Sequence, residues 1–284
     1  MRGMPDAAPP EIFNRDLYRL RRARAAASLA SCDFLHRRAM ADIVDRLETV
    51  TRDFPSALFY GAGALTSMLT PACGVGDFIS ADFAAERTAG PNSLVFDEEL
   101  SPFAPESFDL VVSVLTLHAA NDPVGALAQM RAALKPDGLL IAVLFGEDTL
   151  AELRAALYAA ETEHAGGVSP RIAPFAGVRD LGAALQRAGL AMPVADLDRA
   201  RVEYRNAAQL FADLRRMGET NCLADRAKGL RRRSVAGGLE RLSACAHVTF
   251  DLVTLTGWAP HESQPRPLKP GSATHSLKKA LGAG

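Results

Sequence analysis

The residues with chemical capacity stand where apolar runs stop. Gly61 and Gly63 follow the run Ala57 to Tyr60, Asp82 follows Val75 to Ala81, and Asp97 with Glu98 follows Ser93 to Phe96. A glycine in such a place lets the backbone approach a ligand and adopt dihedrals closed to other residues. The helix after it would aim its N–H groups at a carboxylate or phosphate. An acidic side chain about twenty residues further on can accept both hydroxyls of a ribose, so Asp82, with Phe83 beside it, reads as a nucleoside contact. Asp97 and Glu98 would then meet an adenine amino group. Each position also has an ordinary reading: a turn glycine, a helix N-cap at Asp82, a solvated turn at Asp97. Their order, each at a strand end, is what favours a joint site. The next apolar run ends in Ser113-Val-Leu-Thr-Leu-His118, where Val114 and Leu115 would wall the ligand. His118 reaches the same rim and is the candidate general base, against the common alternative of a structural histidine.

These residues need a scaffold of strands and helices in alternation. Leu110, Val111 and Val112 run without polar alternation, as in a strand covered on both faces. Asp122-Pro123 reads as an N-cap and first-turn proline, and Lys135-Pro-Asp-Gly138 as a turn before the strand Leu139 to Phe145. Helices are expected at Gly63 to Leu69, Thr149 to Glu163 and Arg179 to Ala188, and strands at Met192 to Leu197 and Val248 to Trp258. Strands spaced by helices imply βαβ units, a mostly parallel sheet, and ligand binding beyond the strands' carboxyl ends. The expected segments are a disordered tail over 1–12, a helical extension over 13–52 and a Rossmann-like core over 53–200. A helical insertion over 201–245, a final strand over 246–260 and a proline-rich tail over 261–284 complete the chain.

The chain has 284 residues, a net charge of −1 and 48% hydrophobic residues. That balance argues against a nucleic-acid binder, and the runs Arg19 to Arg24 and Arg231 to Arg233 read as solvated helix faces. No apolar stretch is long enough to span a membrane, and the first residues have no secretory pattern. Cys32, Cys73, Cys222 and Cys245 lie far apart, which fits a reduced cytoplasmic protein without a disulfide framework or a metal site.

Taken in order, GAG, SADFAAE, FDEELSPFAPESFDLVVSVLTLHAANDP and LKPDG resemble the class I S-adenosylmethionine-dependent methyltransferases. The resemblance is nearest to the mitochondrial complex I assembly factor 5 group and its α-proteobacterial relatives. The segments FNRDLYRLRRARAA, FGEDTLAELRAAL, AETEHAGGVSPRIAPFAGVRDLGAALQRAGL, MGETNC and GWAPHESQPRPLKPGSATHSL carry it. The malonyl-carrier-protein methyltransferases of biotin synthesis are more distantly similar. The resemblance implies a seven-stranded, mostly parallel sheet with helices on both faces, and S-adenosylmethionine on Gly61, Gly63, Asp82, Phe83, Asp97, Glu98, Val114 and Leu115. It also implies a protein partner, such as a peripheral-arm subunit of complex I, and a bacterial cytoplasmic location, peripheral to the inner membrane through that partner.

The glycine loop departs from the family pattern Asp-x-Gly-x-Gly-x-Gly. Phe59 takes the acidic position and Leu65 the third glycine position. Losing one charge-assisted hydrogen bond costs about 1.5–3 kcal/mol, so weaker cofactor binding is expected. Three functions follow. Methyl transfer to an unidentified acceptor is the main one, with His118 and Tyr204 on the acceptor side and Glu147 and Asp148 as an acidic rim. Assembly-linked arginine hydroxylation is the second, although no H-x-D/E metal spacing is present. A non-catalytic assembly factor that retains the fold is the third.

Overall fold

The computed structural model describes residues 11–265 except 89, 166–167, 228–231 and 244–246. The expected tails therefore fall largely outside the described residues, as do Cys245 and Arg231. Two helices come first, α1 (Arg15–Leu29) and α2 (Phe34–Thr49). The strands are β1 (Phe54–Tyr60), β2 (Val75–Asp82), β3 (Ser93–Val95), β4 (Phe108–Val114), β5 (Leu134–Phe145), β6 (Ala191–Val202) and β7 (Val248–Trp258). The other helices are α3 (Pro123–Ala133), α4 (Ala151–Ala165), α5 (Val178–Arg187), α6 (Ala207–Met217) and α7 (Arg232–Ser243).

The strands form one sheet in the order β3-β2-β1-β4-β5-β7-β6. The pairs from β3 to β5 are parallel, and β7 runs antiparallel between β5 and β6. Chain order reverses at β1, so the crevice between the carboxyl ends of β1 and β4 is where such a sheet accepts ligands. Apolar side chains pack on both faces. Leu110, Val112 and Val114 join α2, α4 and α6 on one face, while Leu58, Tyr60 and Val111 join α3 and α5 on the other. That two-sided burial is the reason β4 carries no polar alternation.

The short helix expected after the glycine loop is present over Gly63–Met68, as a 3₁₀ helix. One local expectation changes. Lys135 to Gly138 is no separate turn: β5 already begins at Leu134, and the bend is absorbed by Asp137 at φ 62° and a register shift opposite Phe108 and Leu110. The Asp122 cap holds, its carboxylate accepting from Gly125 N–H at 2.8 Å.

Helix α1 lies on neither face. It crosses the carboxyl ends of the strands, and its buried residues are Tyr18, Arg22 and Ala25. This inverts the usual pattern, since Leu20 is 43% exposed and Arg22 is fully buried. The reading of Arg19 to Arg24 as a solvated face therefore fails at Arg22. A buried guanidinium requires an opposite charge, and that charge belongs to the candidate site.

Candidate functional site

Asp82 ends β2 with no exposed surface, and both its oxygens are engaged. Arg22 Nε donates to Oδ1 at 3.1 Å and Nη2 donates to Oδ2 at 2.6 Å, while the Ala84 amide donates to Oδ1 at 2.9 Å. The remaining Arg22 nitrogen, Nη1, donates to the Tyr18 hydroxyl at 3.1 Å and to the Leu115 carbonyl at 3.3 Å. Burial alone would raise the Asp82 carboxyl, but the Arg22 charge and hydrogen bonds outweigh it and hold the group below the usual range. Arg87 lies behind the pair, with Nε 3.8 Å from Asp82 Oδ2. Burial and the neighbouring Arg22 charge bring Arg87 down to about 10. It also donates to the Met217 carbonyl at 3.1 Å and meets His36 Nε2 at 3.3 Å.

The next acidic group is capped in the same way. Arg15 Nη2 donates to Asp97 Oδ1 at 2.5 Å and Nε to Oδ2 at 3.3 Å. The Arg15 guanidinium also stacks 4.7 Å from the centre of the Phe83 ring. Glu98 is buried, 3.5 Å from Arg15 Nη2, and accepts from the Thr116 hydroxyl at 2.5 Å. Its burial raises it despite these partners.

His118 lies at the far end of this cluster in a short 3₁₀ turn, Leu117–Ala119. Its Nε2 is 2.9 Å from Glu219 Oε2, and its ring packs on Phe145, Phe175 and Tyr18. Burial would raise Glu219, but His118, Arg22 and Arg87 keep it below the ordinary range. A carboxylate only accepts, so Nε2 carries the proton and the lone pair of a neutral ring falls on Nδ1. Among the described residues Nδ1 is buried without a hydrogen-bond partner. A cavity of about 50 Å³ beside it is lined by Phe13, Arg171, Phe175 and Asn221 among others.

Several expected residues are placed elsewhere. Phe59 is fully buried against Phe78, ring centres 5.5 Å apart, and Leu65 joins the same core. The glycines are required by the chain itself. A Cβ on Gly61, at φ 77°, would lie 2.4 Å from the Val114 carbonyl, and one on Gly63 would lie 2.8 Å from that of Arg87. Val114 and Leu115 are fully buried at the end of β4. Tyr204 lines a different cavity from His118, beside Arg205 and His247. Asp148 pairs with Arg199 at 2.5 Å, and Glu147 Oε2 lies against Gly177, so neither reaches the His118 cavity. Arg15, Arg22, Arg87 and Glu219 were not singled out from sequence. The spacing Arg15, Tyr18, Arg22, Ala25 is a helical stripe that could have flagged the first two.

Residues 60–142 match the family model described as "Methyltransferase domain". The arginine-hydroxylase NDUFAF5 of human mitochondria is 39% identical, over 97% of this chain and 85% of that protein. The zebrafish protein of the same name is 36% identical, over 94% and 88%. The chain belongs to the NDUFAF5 family. A malonyl-[acyl-carrier protein] O-methyltransferase of Laribacter hongkongensis is 29% identical over 92% of this chain and 95% of that one. Among solved structures, YcgJ of Bacillus subtilis superposes with a TM-score of 0.52 at 15% identity, covering 79% of this chain and 99% of that one. A putative methyltransferase of Bacillus halodurans gives 0.51 at 12%, over 78% and 99%. These two establish the Rossmann-like methyltransferase fold. Among the described residues no helix is long and apolar enough to cross a membrane, and no cluster of His, Cys, Asp or Glu could hold a metal ion.

A class I fold implies S-adenosylmethionine at this edge. The residue types suit it, but their acceptor atoms do not: both oxygens of Asp82 and of Asp97 are already bound to arginine. As folded, the edge does not accommodate the cofactor, and no chemical step is routed through it.

Proposed function

We propose that this protein modifies an arginine side chain of a protein partner, by hydroxylation, in support of respiratory complex I assembly. The observation that carries this reading is the full-length relationship. Identity is 36–39% over 94–97% of the chain to proteins named as arginine hydroxylases, against 29–33% over 60–92% of the chain to named O-methyltransferases. The chemistry of the edge agrees. Asp82 and Asp97 already hold guanidinium groups in bidentate geometry, the arrangement that recognises arginine.

Hydroxylation inserts one atom of O₂ into a C–H bond and releases the other as water, consuming two electrons and two protons, so a reductant and an oxygen-activating group must be supplied. This chain's own residues position the arginine and hold protons. His118, oriented through Nε2 by Glu219, presents Nδ1 as the atom at which a proton is held or relayed. Removing a positioned acid–base group lowers turnover by about 10²–10⁴-fold, so His118→Ala should show a fall of that size. Glu219→Gln should show a smaller fall and a shifted pH profile.

Methyl transfer is the second reading, favoured by the methyltransferase-domain match over residues 60–142 and by Asp82 and Asp97 standing at successive strand ends. One experiment separates the two. Complex I subunits from cells with and without the gene are compared by peptide mass spectrometry. An arginine lacking one oxygen in the deletion supports hydroxylation, and a residue lacking one methyl group supports methyl transfer. If every peptide is unchanged while complex I is depleted, neither reaction holds and a non-catalytic assembly role takes their place.

A further inference from the structure

Helix α1 and the segment after α6 are joined as one unit. The Asn14 amide donates to the Cys222 carbonyl at 2.9 Å and the Ala224 amide to that of Ile12 at 2.9 Å, flanking a bridge between Phe13 and Leu223. Arg21 reaches the Asn221 carbonyl. Gly218 closes α6 at φ 88°, and a Cβ there would lie 3.3 Å from that of Ala25. This unit carries Arg15 and Arg22 on its helix and Glu219 on the segment after α6, with Arg22 Nη1 4.0 Å from Glu219 Oε1. What holds it to the strand ends combines apolar packing of Phe13, Tyr18, Cys222 and Leu223 on Ala119 and Phe83 with polar contacts: Arg22 on Asp82, Arg15 on Asp97, Asn121 on the Ile12 and Phe13 amides, and Glu219 on His118.

Two cavities follow α1 along the edge. One, about 280 Å³, is lined by Asp16, Arg19, Leu20 and Ala23 of the helix and by Phe83 to Glu86. The other, about 270 Å³, is lined by Ala26, Leu29 and Ala30 and by the glycine loop Gly61 to Leu65. Both include Glu86. Both lie against α1 on either side of Glu86, and together they fall within the size of common ligand pockets, roughly 300–1,000 Å³.

We propose that α1 with residues 217–224 is a lid whose arginines compete directly with a nucleoside ligand for Asp82 and Asp97. When it lifts, the same movement carries Glu219 away from His118, so ligand entry and release of the histidine are one event. The proposal rests on the carboxyl edge being the ligand-binding edge, and it does not depend on which reaction follows. A ligand that binds only the open state has its apparent affinity reduced by the open fraction.

The test is calorimetric titration of S-adenosylhomocysteine into the full chain, alongside hydrogen exchange of the amides of 15–29 and 217–224. The variants are Arg15→Ala and Arg22→Met, the latter retaining an apolar stem. If nine-tenths of the molecules are closed, weakening the lid should tighten binding by up to about tenfold. Ligand should also speed exchange in both segments of the wild type together. Equal or weaker binding by folded variants overturns the lid, as does ligand binding that leaves exchange in α1 unchanged or slower. So does a complete lack of binding by wild type and variants. Should Arg22→Met fail to fold, Arg15→Ala and the wild-type exchange decide. A failed search for modified arginine leaves this outcome unaffected, so the two readings fall separately.

Discussion

Among the carboxylates that hold an arginine bidentately, Asp251 and Asp82 do so under opposite conditions. Asp251 on β7 takes Arg199 at 2.7 and 2.9 Å, and the two are direct cross-strand partners. Arg199 keeps 38% of its side chain in solvent, so water still serves the pair. Asp82 takes Arg22 at similar distances, yet both side chains are wholly buried and the partner comes from a helix outside the sheet. The first pair follows from strand register and needs no further explanation. The second carries a desolvation penalty that well-packed apolar side chains would avoid. The sheet edge can hold such a pair in place of a hydrophobic plug when it must also be able to come apart in favour of another polar ligand.

Measurements can break or sharpen this contrast. The largest expected effect is at the buried pair. Asp82→Ala leaves Arg22 buried without its counter-charge and should cost about 3–5 kcal/mol in denaturant unfolding. Arg199→Met, removing the solvent-served partner of the other pair, should shift the midpoint far less. The double change Asp82→Leu with Arg22→Met should regain most of the loss, because the uncompensated charge is gone. A double variant as unstable as Asp82→Ala would mean that the pair itself holds α1 down.

Next in size is the glycine under the loop. Gly61→Ala meets the Val114 carbonyl and requires a left-handed alanine, so about 2–3 kcal/mol should be lost.

A pH dependence follows at about 1.4 kcal/mol per pH unit. His36 is buried, and burial first, then the charges of Arg87 and Arg22, keep its folded pKa well below the usual 6.5. The unfolded chain therefore binds a proton that the folded chain refuses. Stability is complete above pH 6.5 and falls as the pH drops below it. His36→Phe should flatten the slope between pH 6.5 and 5, as read by denaturant midpoints. Asp82 and Glu219, both held below the ordinary carboxyl range, contribute above that range and lose their share only in stronger acid.

The smallest effect lies far from the edge. A Cβ on Gly182 within α5 would meet only that of Ala195 at 3.8 Å, so Gly182→Ala should stabilise by about 0.5–1 kcal/mol. A loss there would show that the packing of α5 is as restrictive as that of the loop.

The middle of the sheet was legible because β4, β5 and β7 are buried on both faces and read as largely apolar runs. Asp82 and Asp97 were legible because each run stops at an acid. What the strand ends face was harder to read. Arg22 lies in a run of arginines whose composition suggests solvent, and only its helical phase with Tyr18 and Ala25 separates it from exposed Arg19. Glu219 lies far along the chain in MGETNC, a segment quoted for likeness and not for chemistry. No local rule pairs it with His118, since the contact exists only through the way α6 returns over the edge. Lys135 to Gly138 misled for the opposite reason. Its turn chemistry is real, but it bends a strand that tertiary pairing had already begun.

Helix α1 also has a history. It leaves the ribosome well before the groups that bury its polar stripe are made. Asp82 follows Arg22 by 60 residues, Asn121 follows Phe13 by 108, and Asn221 follows Arg21 by 200. Until the insertion has been synthesised, Arg22 has nowhere dry to go, and the strand ends stand open. The contacts that close the edge thus form late in synthesis, so each new molecule passes through an open form before it first becomes shut.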